Sequence, residues 1–372
     1  MKKIKISLTA LAILAATGCK TNDKIRMVTT IAPNGQVHRE IYALENRPVQ
    51  EEADMEGTDK SNELPVAEKE IYGNPFLFAL TPDWEITRFD TAFKYNFWGN
   101  DSGELNVKIS KDAASIEQYS KEIQCDKDKQ SYAAPEESLM KKFRWFYTCY
   151  SFKTVYKKLQ YESPVPIDDH LSKEEQILWT QRNMGGYNLM NGFEMYNYLD
   201  DVNRQFWAWY SLNCWEISFE IVKKLTTEYD LDTDREDLYN NGDILTEKNN
   251  EIDPEVLCSS LDIYYKTTYF SKLYQTHKEL MDKDFEAAIS VINHLFDEIS
   301  YELVIPGKLT KTNAPLIQSD TLIWKVDGMR LLFDDYALSA EYRIANIWAF
   351  IVSGVVILIA VGSLGWRWRM RR

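Results

Sequence analysis

Histidine and glycine are scarce in this chain of 372 residues, at 4 and 15. His38, His170, His277 and His294 are never spaced as in HExxH, and each reads as a solvated surface residue. So few glycines leave little scope for phosphate-cradling loops, and no Walker loop, GxGxxG or GxSxG occurs. No CxxC pair and no Cys/His interval suits zinc. Asp230, Asp232 and Asp234 alternate as in a calcium loop, but Arg235 stands where Gly is required and Asn241 where a bidentate Glu is required, so the stretch reads as a solvated acidic loop. Asp168-Asp169 and Asp334-Asp335 read as surface acids. With no convergent catalytic set visible, the expectation is a non-enzyme without metal or cofactor.

Basic charge is also short, with 43 Lys and Arg against 57 Asp and Glu and a formal net charge of −14. Seven of those basic residues lie in 1–19 and 344–372, where there is no acid. Residues 20–343 therefore hold 36 basic groups against all 57 acids, a net of −21. Such a body repels a phosphate backbone and carries no basic stripe, which excludes a nucleic-acid partner. A composition of 45% apolar, 13% aromatic and 27% charged residues excludes a collagen-like, low-complexity or wholly disordered chain. The length suggests about two domains.

The two ends carry the strongest signals. Lys2, Lys3 and Lys5 precede an apolar run from Ile6 to Ala16, and Ala16-Thr17-Gly18-Cys19 follows. This is the plan of an export signal over 1–18. The Gly-Cys ending is similar to a bacterial lipobox, which makes Cys19 the expected lipid attachment, although Ala16 stands where such boxes carry Leu. An ordinary cleaved signal is the alternative. At the other end Ile344–Trp366 is uncharged, long enough at about 1.5 Å per residue to cross a membrane. Trp348 and Trp366 sit near its limits, as interfacial rings do, and a basic tail over 367–372 follows with Arg367, Arg369, Arg371 and Arg372. By the positive-inside rule that tail is cytoplasmic and 20–343 is outside. A spanning helix cannot be lifted out of lipid cheaply, so a bacterial cytoplasmic (inner) membrane location is expected, with tethers at both ends.

Between the ends, Pro33-Asn34-Gly35 separates two β-prone runs and predicts a hairpin with a type I′ turn within 19–44. Residues 45–70 are acidic and poor in large apolar side chains, a flexible linker by composition. A β-rich part is expected over 71–160. In it Leu105, Val107 and Ile109 alternate as a half-buried strand, a short helix follows near 114–123, and Phe143–Tyr156 reads as a strand or hairpin buried on both faces. No proline falls between Pro166 and Pro254, and 161–300 reads as helical. Ser172 and Glu175 form a capping box, 188–225 is apolar nearly all round, and Asp253-Pro254 starts another helix. Phe285, Ile289, Ile292, Phe296 and Ile299 mark one more amphipathic face. Strands return over 301–343. The expected fold is α+β, a sheet formed from N- and C-terminal strands with a large Trp/Tyr-rich helical insertion, plus one C-terminal transmembrane helix.

Two groups of residues remain open. Cys125, Cys149, Cys214 and Cys258 are an even set for an exported domain, expected as two disulfides or as four buried thiols. Trp207, Trp209, Tyr210 and Trp215 either contact an acyl chain or sugar, or fill a helical core.

Ile305-Pro306-Gly307-Lys308, Thr312-Asn313-Ala314 and Thr321-Leu322-Ile323-Trp324 resemble the C-terminal part of LppM-type bacterial lipoproteins. The resemblance covers about seventy residues and the opening hairpin, while the helical middle departs from it. It implies a non-enzymatic, membrane-anchored domain that contacts envelope lipids or glycolipids, and carries over no functional residue. The expected function is accordingly a lipoprotein binding an envelope lipid, glycolipid or membrane-protein partner. The alternative is a structural or regulatory subunit of an inner-membrane complex with no small ligand.

Overall fold

The structure, a computed structural model, describes residues 24–45, 75–76, 78–79, 81–96, 102–122, 124–125, 135–159, 162–179, 190–240, 252–293, 295 and 297–371. The signal segment, Cys19 and residues 46–70 of the expected linker lie outside the described residues.

Strands β1 (Lys24–Ile31) and β2 (Val37–Ala43) form the expected hairpin, each alternating apolar side chains inward. Its turn differs from the type I′ expectation. The Gly35 N–H donates to the Ala32 carbonyl at 2.9 Å, and the Ala32 N–H to Gln36 O at 2.8 Å. Only Gly35 has positive φ, +96°, so Pro33 occupies the second position of a type I turn and Gly35 supplies a bulge. The Asn34 side chain closes the loop by accepting from the Gln36 N–H at 3.0 Å.

Further strands are β3 (Phe78–Ala79), β4 (Glu85–Asn96), β5 (Ser102–Ala113), β6 (Gln124–Cys125), β7 (Glu136–Phe143), β8 (Tyr147–Tyr156), β9 (Glu298–Val304), β10 (Lys308–Thr312), β11 (Leu316–Gln318), β12 (Thr321–Asp327) and β13 (Tyr336–Ala345). A seven-stranded sheet runs β11-β12-β9-β1-β2-β5-β4, a four-stranded sheet runs β10-β13-β8-β7, and β3 pairs with β6. N- and C-terminal strands do meet, since β1 pairs in parallel with β9 from Lys24 opposite Glu298 to Thr30 opposite Val304. In place of one sheet there are two larger ones and the short β3–β6 pair. Pro306, which has no N–H to continue a ladder, follows β9 and diverts the chain into the second sheet.

The two sheets face each other across an aromatic core, with the Phe152 and Tyr301 rings 6.2 Å apart and Tyr301 edge-on to Trp324 at 6.1 Å. One ion pair crosses that core. Arg39 on β2 donates from Nη1 and Nη2 to the two Glu137 oxygens on β7 at 2.9 and 2.8 Å, with neither side chain reaching solvent. Thr154 and Tyr301 also donate to Glu137, and Arg39 Nε donates to Thr29. Burial opposes the Arg39 charge, but the Glu137 carboxylate and Tyr301 outweigh it and hold the guanidinium above the usual arginine range. Acids on the linker's border behave alike: Glu45, expected in the flexible stretch, is buried and accepts from Arg88 Nε at 3.0 Å.

The helices are α1 (Ile116–Glu122), α2 (Lys173–Trp179), α3 (Gly192–Leu225), α4 (Leu231–Asn240), α5 (Pro254–Tyr265), α6 (Tyr269–Asn293), α7 (Gly328–Leu331) and α8 (Ile347–Met370). The Ser172–Glu175 box caps α2 and Asp253 caps α5, as their sequences require. Helix α3 carries a second box, with the Asn191 side chain accepting from the Phe193 and Glu194 amides. Its buried side chains run from Val202 onward, whereas Phe193 and Tyr196 are exposed, so only its later turns lie in the bundle. The amphipathic face through Ile299 is shorter than expected. α6 ends at Asn293, and Ile299 belongs to β9, opposite Ile25 and Val326 in the sheet. Asp232 and Asp234, expected in a solvated acidic loop, lie instead in the first turn of α4, where carboxylates suit the helix N-terminus and Lys223 pairs with Asp232 at 2.7 Å.

Candidate functional site

The bundle aromatics sit where packing demands. Trp209, Tyr210 and Trp215 are buried and Trp207 is half-buried against the same core. Trp209 Nε1 donates to the Val165 carbonyl at 2.9 Å, and the Trp209 ring lies 5.5 Å from Phe206. Trp215 stacks on Phe219 at 4.9 Å.

The cysteines correct the disulfide expectation. Cys149, Cys214 and Cys258 are free; Cys125 lies in β6 and its side chain is outside the described residues. Cys214 and Cys258 pack as small apolar groups in the bundle core. Burial, with Asp262 and Asp253 nearby, pushes the Cys258 thiol up to about 12. Iodoacetamide on the native, unreduced protein at neutral pH should therefore modify half-buried Cys149 and reach Cys214 and Cys258 only after unfolding. An intact mass two hydrogens light would indicate a bridge and refute this.

The arrangement that gathers exposed and chemically distinctive groups is at the membrane end of the four-stranded sheet. Strand β13 leads into α8 through one residue, Asn346. Its amide donates to Phe146 O at 2.9 Å, its Nδ2 donates to the Arg144 and Trp145 carbonyls at 2.8 and 3.1 Å, and its Oδ1 accepts from Thr148 Oγ1 at 2.9 Å. The tip of the β7–β8 hairpin is thus bonded to the first turn of α8. Aromatic contacts extend the clamp. Trp348 lies parallel to Phe143 at 6.4 Å and edge-on to Trp145 at 5.2 Å, while Phe350 meets Phe146 at 4.8 Å. Trp145 Nε1 donates to Ser353 Oγ at 2.9 Å.

The residues that mount this edge are those of the Pro-Gly, Asn and Trp motif. A Cβ on Gly307 would lie 2.5 Å from the Arg343 carbonyl oxygen, so only glycine lets the turn pass β13. Asn313 donates to Ala337 O at 2.7 Å and accepts from the Ser339 amide at 2.8 Å and from Trp324 Nε1 at 3.0 Å. Together they pin β13, the strand that carries the helix.

Phe143–Tyr156 was expected to be buried on both faces. Instead β8 buries alternate residues, and Phe143, Trp145 and Phe146 are 56%, 48% and 39% exposed. The signal against a core is the run Lys141-Lys142-Phe143-Arg144-Trp145-Phe146, in which three cations interrupt the rings, although the rings by themselves suit either setting. Of the residues expected at the membrane, Trp348, Trp366, Arg367 and Arg369 lie on α8 and Arg371 caps it, while Arg372 is outside the described residues.

Fold and site define an α+β domain mounted directly on a C-terminal helix long and apolar enough to cross a membrane. No protein-family model matches the chain, and no curated protein matches it. The NMR structure of the folded domain of Mycobacterium tuberculosis LppM is similar at 10% identity, covering 87% of this chain and 90% of that one with a TM-score of 0.25. That likeness is too slight to transfer topology or a site.

Proposed function

We propose that this chain is a lipoprotein of the bacterial cytoplasmic membrane, anchored at Cys19 and by α8, whose extracytoplasmic domain binds an envelope lipid, glycolipid or membrane protein without catalysis. The observation that carries this reading is the single-residue junction at Asn346. A domain needing only to be localised can hang from a linker, whereas here strand, hairpin and helix are one bonded unit. Such a mount sets the orientation of the domain on its membrane, which suits recognition at a defined height. The basic end of α8 supports a cytoplasmic C-terminus.

Two anchors in one membrane constrain posture. Lys24 begins β1 at the end opposite the Pro306–Lys308 turn, which abuts Arg343 beside the helix. The strand rises about 23 Å from Ile31 to Lys24, yet the five residues from Cys19 to Lys24 reach at most about 17 Å. An acylated Cys19 sharing the leaflet with α8 then requires β1 to incline by about 40° or more from the membrane normal.

Exposed Phe193 and Tyr196 at the start of α3 favour the second reading, a subunit of a larger inner-membrane complex. Native mass spectrometry of gently extracted full-length protein separates the two. Excess mass beyond the diacyl group means a retained lipid or glycan, a whole extra polypeptide means a protein partner, and a bare mass refutes a stably held small ligand. Cys19→Ala should abolish acyl labelling while α8 keeps the protein in the membrane pellet; unchanged labelling removes the lipoprotein assignment.

A further inference from the structure

We propose that the membrane end of the four-stranded sheet binds the headgroups of anionic phospholipids in the leaflet that α8 enters. Lys142, Arg144 and Lys308 take the phosphate oxygens, and Phe143, Trp145 and Phe146 seat in the layer beneath. This rests on α8 being a spanning helix, and goes beyond it by assigning a lipid class and the residues that read it.

Register supplies the placement. Lys308 pairs with Arg343, Arg343 with Cys149, and Cys149 with Lys142, so these four form one transverse row across β10, β13, β8 and β7. Directly opposed residues of antiparallel strands share a face. In the next row, on the core side, Tyr342 and Tyr150 are buried and only the edge residue Lys141 is exposed, which leaves the row of Lys308 and Lys142 on the outer face. Arg343 is three residues from Asn346, so the row stands just above the start of α8.

Charge supplies the specificity. Residues 20–343 carry a net charge of −21, yet 141–146 hold three cations and no acid. Lys141, Lys142 and Arg144 are exposed, and none is ion-paired among the described residues. On this sheet face Glu341 lies one step farther from the helix and Glu136 at the far end of β7. An acidic domain that keeps an unneutralised basic edge at the membrane gains attraction from anionic lipid there and avoids repulsion elsewhere.

Depth supplies the third argument. Trp145 Nε1 reaches Ser353 Oγ, six residues into α8 and about 9 Å along its axis. The hairpin tip therefore descends beside the first turns of an apolar helix, and its exposed rings face the same surroundings as the helix does. Aromatic rings below a row of cations match the order of layers in a leaflet, phosphate above and glycerol and acyl chain beneath.

The test is hydrogen–deuterium exchange on full-length protein in nanodiscs of phosphatidylcholine alone or with about one third phosphatidylglycerol. The expected result is slow exchange across 347–366 in both, with the tip amides of 144–146 slowed about fivefold or more only in the anionic discs. Lys142→Glu with Arg144→Glu should abolish that gain, and Lys142→Arg with Arg144→Lys should keep it. Equal tip exchange in both discs, or a gain that survives charge reversal, overturns the headgroup site while the protected helix leaves the spanning assignment standing. Free exchange across 347–366 overturns the spanning assignment and the headgroup site with it.

Discussion

Glu137→Ala is expected to lower the stability of the domain by about 3–5 kcal/mol, because it removes one partner of a fully enclosed ion pair and leaves the other charged. Arg39 and Glu137 are both inaccessible to solvent, and among the described residues the guanidinium has no second acid to turn to, only the hydroxyl groups of Thr29 and Tyr301. Its charge is also carried over the Tyr119 ring at 4.6 Å, a contact that partly offsets the loss without replacing a carboxylate. Domains are stable by only about 5–15 kcal/mol, so a loss of this size removes a large share of the margin. Arg39→Met combined with Glu137→Leu should recover part of it, since no charge is then left buried and unpaired, although the hydroxyl groups of Thr29, Thr154 and Tyr301 lose a partner. Urea unfolding of the detergent-solubilised full-length protein, followed by tryptophan fluorescence, measures both variants. A Glu137→Ala midpoint equal to that of the unaltered protein would mean that water reaches Arg39 and that the two sheets are not closed over it.

A comparable loss, about 3–5 kcal/mol, is expected for Trp324→Ala. Trp324 is entirely buried at the centre of β12, against Tyr301, and its Nε1 donates to Asn313. Alanine there opens a cavity between the sheets and removes one of the bonds that hold the Asn313 side chain against β13. Trp324→Phe should cost less, about 1–2 kcal/mol, because an aromatic ring remains and Asn313 Oδ1 keeps its bond from the Ser339 amide. The same urea titration reads the difference, and limited proteolysis adds a second readout. Trp324→Ala should expose the β10–β13 region to cleavage well before the helical bundle, since it loosens the strand that bears α8. Equal midpoints for the two variants would show that the cavity is filled by repacking and that the mount does not depend on this ring.

Local signals carried much of the architecture. The Ser172 and Asp253 caps and the alternation of Leu105, Val107 and Ile109 each depend on residues within one turn or strand, and each is found where its pattern placed it, as is the first hairpin, although its turn is type I with a bulge. Where the pattern was read past its element the structure corrected it. Ile299 continues the spacing of α6 by arithmetic, but its partners Ile25 and Val326 are brought by the sheet, and a strand buried on both faces has no period to betray it. Cysteine parity is likewise a count without geometry. An even number in an exported chain suits bridges, but a bridge needs its Cβ atoms about 4 Å apart, and the fold spends Cys214 and Cys258 as core side chains.

The candidate site was legible only in its parts. Asn313, Trp324 and Gly307 were visible as a motif, but that all three brace β13 depends on hydrogen bonds and a close approach made across the sheet. Lys141–Phe146 is rich in rings that reward a core and a membrane boundary equally, because both remove apolar area from water. What takes them out of the core is the fold, which sets the tip beside α8, some two hundred positions away. By itself the sequence determined an apolar C-terminal segment, read as 344–366 and folded as the helix Ile347–Met370, the acidic body and the α+β class, since each follows from composition or period over a short window. Only the tertiary structure decided that Arg39 meets Glu137, 98 residues on, inside the sandwich, and that the hairpin tip meets α8. Those pairings are made by sheets closing over one another, which no local pattern records.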